Sequence, residues 1–180
     1  DCVRRAALLR PGIWRGVQRD WSFSMPDVAA SGATPIIQLG ALWGLPGRWP
    51  AVWPHQDLAA WETWVRAKAA GIGWWVPSGP VWVDIWNEPD SAKYWPIDTD
   101  PGLHHWMEAW AVAEHAIRDV LGARARILGP STLGRQSLWT VRLVRYCATH
   151  GCRLDGVAWH SLGTSRTMAG LRTRTIRRLA

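Results

Sequence analysis

The feature that most constrains this chain is a rhythm in which short apolar runs alternate with longer segments whose apolar residues recur at helical spacing. Such alternation is the pattern of βα units wrapped around a parallel sheet. Pro35-Ile-Ile-Gln-Leu-Gly40, Val81-Trp-Val-Asp-Ile-Trp86, Arg126-Ile-Leu-Gly-Pro130 and Leu154-Asp-Gly-Val-Ala-Trp159 read as buried strands. Asp57 predicts the N-cap of a helix that carries Leu58, Trp61, Trp64, Val65 and Lys68 and ends near Gly71. Asp100-Pro101 predicts a cap followed by proline at the first helical position, opening a helix with Leu103, Trp106, Trp110, Ala113, Ile117 and Val120 on one face and Gly122 at its close. A third helix runs from Ser137 to His150, with Leu138, Val141 and Tyr146 among its apolar positions. Gly12 to Val17 reads as a further strand and Pro26 to Ala30 as a short helix, while the tail after Gly163 starts another helix on Leu171, Ile176 and Leu179.

The 180 residues suffice for one domain with a sizeable core, but fall short of the ~250 of a complete eight-stranded α/β barrel. The expected fold class is α/β, built of βα units. No linker or low-complexity segment divides residues 1–180, so the chain is one domain or part of one. No stretch approaches the ~18 consecutive apolar residues of a membrane span, and no membrane partner is expected. The first residue is Asp1, and the compartment stays open, as does the oligomeric state.

A net charge of +7 raises the question of nucleic acid. Six Arg and one Asp fall from Arg153 onward, leaving 15 basic and 13 acidic side chains before it. The body is nearly neutral, and the Arg-rich tail reads as a solvated face, so no specific nucleic-acid partner is expected. Cys2, Cys147 and Cys152 are too few and odd in number for a disulfide framework, and Cys147, His150 and Cys152 lack a second ligand pair at zinc spacing. They read as ordinary cysteines. Sixteen Trp against one Phe and two Tyr permit a bulky core, and equally permit stacking on the apolar faces of sugar rings.

In parallel α/β architectures the site lies at the carboxyl ends of the strands. The polar residues there are Gln38, Asn87, Glu88, Ser131, Thr132, His160 and Ser161. Strict alternation puts Asp84, Trp86 and Glu88 on one side of a strand and Asn87 on the other, so Asn87 and Glu88 share a pocket only if the strand bends, for which Pro89 supplies a reason. A carboxyl held beside Trp86 is partly desolvated, which suits a general acid at neutral pH. A turn-capping role for Glu88 has equal claim from the tetrapeptide alone.

Val83-Asp-Ile-Trp-Asn-Glu-Pro-Asp90 resembles the W-N-E-P strand-four motif of the clan A retaining glycoside hydrolases, which fold as (β/α)8 barrels. Gly32-Ala-Thr-Pro-Ile-Ile-Gln-Leu-Gly40 is similar to their third strand, Ile127-Leu-Gly-Pro-Ser131 to their fifth and Leu154-Asp-Gly-Val-Ala-Trp-His160 to their sixth. The resemblance spans roughly residues 20 to 163 and is closest to glycoside hydrolase family 39, which includes β-xylosidases and α-iduronidases. It implies an incomplete (β/α)8 barrel that carries about strands two or three to six, with Glu88 as acid/base catalyst, Asn87 as the residue that hydrogen-bonds the sugar 2-hydroxyl, and His160 as the site histidine of the sixth strand. Two positions on from that histidine these enzymes commonly carry Tyr, and here Leu162 stands. Trp43, after the third strand, and Trp86 are the expected substrate-contacting aromatics.

Clan A enzymes take their nucleophile from a Glu at the end of the seventh strand. No Asp or Glu follows Asp155, and the chain stops about where that strand is expected. Glu62, Glu108 and Glu114 fall on predicted helices, Asp155 opens its strand at the far end, and Asp84 reads as a buried, hydrogen-bonded residue. The expectation is a retaining O-glycosidase acting on a carbohydrate, with its nucleophile outside these residues. The alternative is a non-catalytic carbohydrate-binding remnant of such a barrel. Neither needs a metal or an organic cofactor. Alone, such a piece would leave two strand edges unpaired and apolar faces uncovered, an aggregation liability.

Overall fold

Among the described residues five strands pair in chain order, all parallel: β1 (Ile13–Gly16), β2 (Thr34–Gln38), β3 (Val81–Asp84), β4 (Ala125–Thr132) and β5 (Gly156–Trp159). The long helices described between them are α1 (Leu58–Trp75), α2 (His104–Leu121) and α3 (Ser137–His150). This computed structural model describes residues 12–16, 28, 31–40, 53–96, 100, 103–133 and 137–160. The architecture is α/β, a five-stranded parallel half-barrel, and the sequence expectation is met to that extent. The loop that carries Trp43, most of the helix expected at Pro26 to Ala30, and the Arg-rich tail lie outside the described residues.

The two faces of the sheet differ. On β2 to β4, Pro35, Ile37, Val81, Val83, Ala125 and Ile127 are buried, and the residues alternating with them, Thr34, Ile36, Trp82, Arg126 and Leu128, are half-buried. A Cβ added at Gly129 would meet Trp110 and Leu143, which places that face against α2 and α3. A Cβ at Gly156 would instead meet Leu128 and Trp82, on the concave face. The helix-facing side thus holds the core, and the concave side is only partly covered.

α1 is capped by Asp57, whose side chain accepts from the Ala60 N–H at 2.9 Å. Trp61, Val65, Ala69 and Ile72 form its buried stripe, and the Trp61 indole N–H donates to the Ala109 carbonyl of α2 at 2.8 Å. The helix does not end near Gly71 but runs to Trp75. Ile72 is buried and keeps the apolar stripe going, while Gly73 lies where a Cβ would stand 3.3 Å from Leu121, so glycine here serves close helix approach rather than termination.

The start of α2 also departs from expectation. Leu103, with φ +59°, occupies the cap position, while Asp100 caps from outside the helix, accepting from the N–H groups of His105 (3.3 Å) and Trp106 (3.0 Å) and from the Trp95 indole (3.1 Å). A carboxylate at this end satisfies orphan donors and faces the positive end of the helix dipole. Gly122, with φ +57°, closes α2 as the sequence predicts. In α3 the buried row is Trp139, Leu143 and Cys147, whereas Leu138 is exposed. Cys147 and Cys152 are joined by a disulfide that ties the end of α3 to the approach to β5, correcting their reading as ordinary cysteines. Below this junction Arg118 pairs with Glu114 and, at 2.8 Å, with Asp155, whose carboxylate also accepts from the Ile127 N–H.

Candidate active site

Nine polar or charged residues are buried among the described residues, and six of them, Gln38, Asp84, Asn87, Glu88, Ser131 and Thr132, stand at the carboxyl ends of β2, β3 and β4. Burying polar groups costs free energy unless they are hydrogen-bonded, so such a concentration needs local partners. The sheet pairing supplies some of them by continuing past the strand ends. Leu39 N–H donates to Asp84 O (2.8 Å), Glu88 N–H to Ser131 O (2.9 Å) and His160 N–H to Thr132 O (2.8 Å).

β3 stops at Asp84, two residues earlier than the sequence predicts, and the chain bends. Glu88 takes a left-handed backbone with φ +47°, and a tight turn follows in which Ser91 N–H donates to Glu88 O at 3.0 Å. Pro89 cannot extend the ladder, and the Asp90 carboxylate accepts from Leu133 N–H at 2.8 Å, tying this turn to the loop after β4. The bend ends strict alternation, and both Asn87 and Glu88 are buried.

Glu88 meets the next strand but one. Its Oε1 lies 2.5 Å from His160 Nδ1, with both side chains largely shielded from solvent. The contact is a hydrogen bond between imidazole and carboxyl, and the His160 tautomer decides which of the two donates. Deeper in the sheet Asp84 is fully buried. It is met by Arg15 Nη2 from β1 at 2.6 Å and by Ser131 Oγ at 2.7 Å from each carboxylate oxygen. Burial pushes the Asp84 carboxyl up, against the opposing pull of Arg15, Ser131 and His160.

Three expected residues, Asn87, Glu88 and His160, therefore come to the same strand ends, Trp43 lies outside the described residues, and Trp86 is placed differently. Its indole is 2% exposed, packs edge-on against Trp61 and Trp95, and donates to Tyr94 O at 3.1 Å. It braces the turn from behind and offers no open ring face to a sugar. Sequence reasoning missed Arg15, whose only signal was an arginine inside a short predicted strand. It also missed the His55, Trp95 and His105 cluster beside that turn, in which His55 stacks on His105 at 5.3 Å. Among the described residues no group of three or more His, Cys, Asp or Glu side chains is arranged to hold a metal ion.

The half-barrel, with its polar residues at the carboxyl ends, superposes on solved structures across most of its length. A protein from Neocallimastix frontalis matches with a TM-score of 0.73 at 22% identity over 96% of this chain. A glycoside hydrolase family 39 enzyme from Xanthomonas axonopodis pv. citri matches with 0.67 at 18% identity over 89%, and a family 39 β-xylosidase from Caulobacter crescentus with 0.65 at 19% identity over 89%. The fold is that of family 39 glycosidases. The chain spans less than half of these structures, 43%, 36% and 37% of their respective lengths. No protein-family model and no curated protein matches the chain by sequence.

Proposed function

We propose that these residues form the acid/base half of the active site of a retaining O-glycoside hydrolase, a (β/α)8 barrel of which β1 to β5 are strands two to six. The contact between Glu88 and His160 at the strand ends carries this reading. Glu88, as the acid, gives its proton to the glycosidic oxygen as the bond to the anomeric carbon breaks and a second carboxylate bonds to that carbon. Glu88, now the carboxylate, then takes a proton from the water that displaces the second carboxylate. Asn87 hydrogen-bonds the sugar 2-hydroxyl, and His160 holds the Glu88 carboxyl. The similarity to a β-xylosidase favours a β-linked pentoside or a related glycoside as substrate.

The buried carboxylates near the sheet are otherwise committed: Asp84 to Arg15 and Ser131, Asp100 to the start of α2, Glu114 to Arg118. The reading therefore assigns the nucleophile to a residue outside this chain. The test is Glu88→Gln in the longest product of the reading frame, assayed on xylo-oligosaccharides and on aryl xylosides with good leaving groups. Turnover of the oligosaccharides is expected to fall by about 10²- to 10⁴-fold, and glycosylation by the aryl substrates much less, because their leaving groups need little protonation. Equal turnover by variant and parent on the oligosaccharides overturns the assignment. Saturable oligosaccharide binding with no turnover by either protein favours a carbohydrate-binding remnant.

A further inference from the structure

The end of β4 does more than terminate a strand. The pairing of β4 with β5 shifts register between Pro130 and Thr132, and the carbonyls of Ser131 and Thr132 turn to opposite neighbours in the sheet. Here the Ser131 carbonyl accepts the Glu88 amide from the β3 side, and the Thr132 carbonyl accepts the His160 amide from the β5 side. The dipeptide Ser131-Thr132 is thus the backbone template that sets the two residues of the short contact. Ser131 holds this position with φ +54°, and Glu88 across the hydrogen bond has φ +47°. A residue other than glycine in the left-handed region is strained, so something local must hold each of them there.

For Ser131 the restraint is visible. Its side chain is fully buried, and its Oγ lies 2.7 Å from both oxygens of Asp84. Asp84 is in turn fixed by Arg15 from β1. Asp84 is buried while the Arg15 side chain stays 38% exposed, and an ion pair open to solvent on one side contributes little net stability, so a buried carboxylate on the strand that leads into Glu88 calls for another role.

We propose that Asp84 is a positioning residue: through the Ser131 hydroxyl it locks the end of β4 in the backbone state whose two carbonyls bring Glu88 and His160 into contact. The inference deepens the acid/base reading of Glu88 and rests on it for its catalytic consequence. The geometric claim is testable without turnover.

The experiment compares the chain with its Ser131→Ala, Ser131→Gly and Asp84→Asn variants. Ser131→Gly removes the hydroxyl while easing the left-handed backbone, and Asp84→Asn keeps the shape and one acceptor, so folded protein is available if Ser131→Ala does not fold. Imidazole ¹⁵N and ¹H resonances of His160 and the amide exchange rate of Glu88 are read alongside the melting temperature. The proposal expects the His160 ring signals to move, and the Glu88 amide to exchange faster, in both Ser131 variants and to a smaller degree in Asp84→Asn. In the longest product of the reading frame, turnover of unactivated glycosides is expected to fall roughly 10- to 100-fold with KM little changed. A lower melting temperature with unmoved His160 signals and unchanged Glu88 exchange overturns the proposal and leaves Asp84 a core ion pair. If Glu88→Gln leaves turnover intact, the acid/base reading fails, while the resonances still decide whether Asp84 positions Glu88.

Discussion

His160 Nδ1 and Glu88 Oε1 stand 2.5 Å apart although 72 residues separate them in the chain. Because the His160 amide is held independently by Thr132, the ring can be removed without taking away the strand pairing. His160→Ala is therefore expected to leave the fold intact and to cost about 1.5–3 kcal/mol in transition-state stabilisation, the worth of a hydrogen bond to a charged group. That is roughly a 10- to 100-fold fall in turnover of unactivated glycosides. His160→Gln, which keeps a donor, should retain more. Steady-state kinetics on the two variants, with circular dichroism as a folding control, check this.

Gly40 follows β2 at the site end, where a Cβ would stand 2.8 Å from both the Ile85 carbonyl and the buried Trp86 ring. Neither neighbour is a flexible side-chain tip. Gly40→Ala is expected to destabilise the chain by about 1–3 kcal/mol through overpacking, and to displace the turn that carries Glu88. Denaturant unfolding monitored by Trp fluorescence gives the magnitude, and a variant as stable as the parent would refute it.

Burial raises the Asp155 carboxyl, but the Ile127 N–H and the Arg118 guanidinium outweigh it and hold the group below the usual carboxylate range. A depressed folded-state value means that the unfolded chain binds the proton more readily. The stabilisation is therefore complete above the unfolded value of ~3.9 and is lost as pH falls through the lower, folded one. Asp155→Asn should flatten the loss of melting temperature as pH falls below about 4, relative to the parent.

The Cys147 to Cys152 bridge closes a short loop across the turn into β5, with a sequence separation of 5. Chain-entropy reasoning gives a loop of that size about 2 kcal/mol of stabilisation. Reduction with dithiothreitol, or Cys147→Ser with Cys152→Ser, is expected to lower the melting temperature by several degrees. Peptide mapping of unreduced protein should recover the two cysteines in one linked species.

Much of the fold was legible because each strand is an apolar run with breakers on both sides, and the sheet follows chain order. The misreadings share a physical cause, which is that local signals were overridden by packing. Gly71 looked like a stop, but Ile72 is buried beyond it, so α1 continued. Asp100 looked like a cap at its own position, yet it caps α2 from outside the helix. At the site, Asn87, Glu88 and His160 could be named because turn chemistry and strand ends mark them. Arg15 could not, since an arginine within a strand reads as solvent-facing until Asp84 is known to lie beside it. Trp86 reads as a substrate-contacting aromatic because nothing in sequence tells a bracing tryptophan from a stacking one, and only its burial against Trp61 and Trp95 does.

Strand order in the sheet equals strand order in the chain. For a polypeptide that emerges from the ribosome N-terminus first, each new strand finds its pairing edge already made. The site then closes in sequence, with Leu39 meeting Asp84, then Glu88 meeting Ser131, and His160 arriving last to seat on Thr132. A nascent chain stalled just after α3 would carry Glu88 with its carboxyl still ungripped, and release of fewer than a dozen further residues would complete the pair.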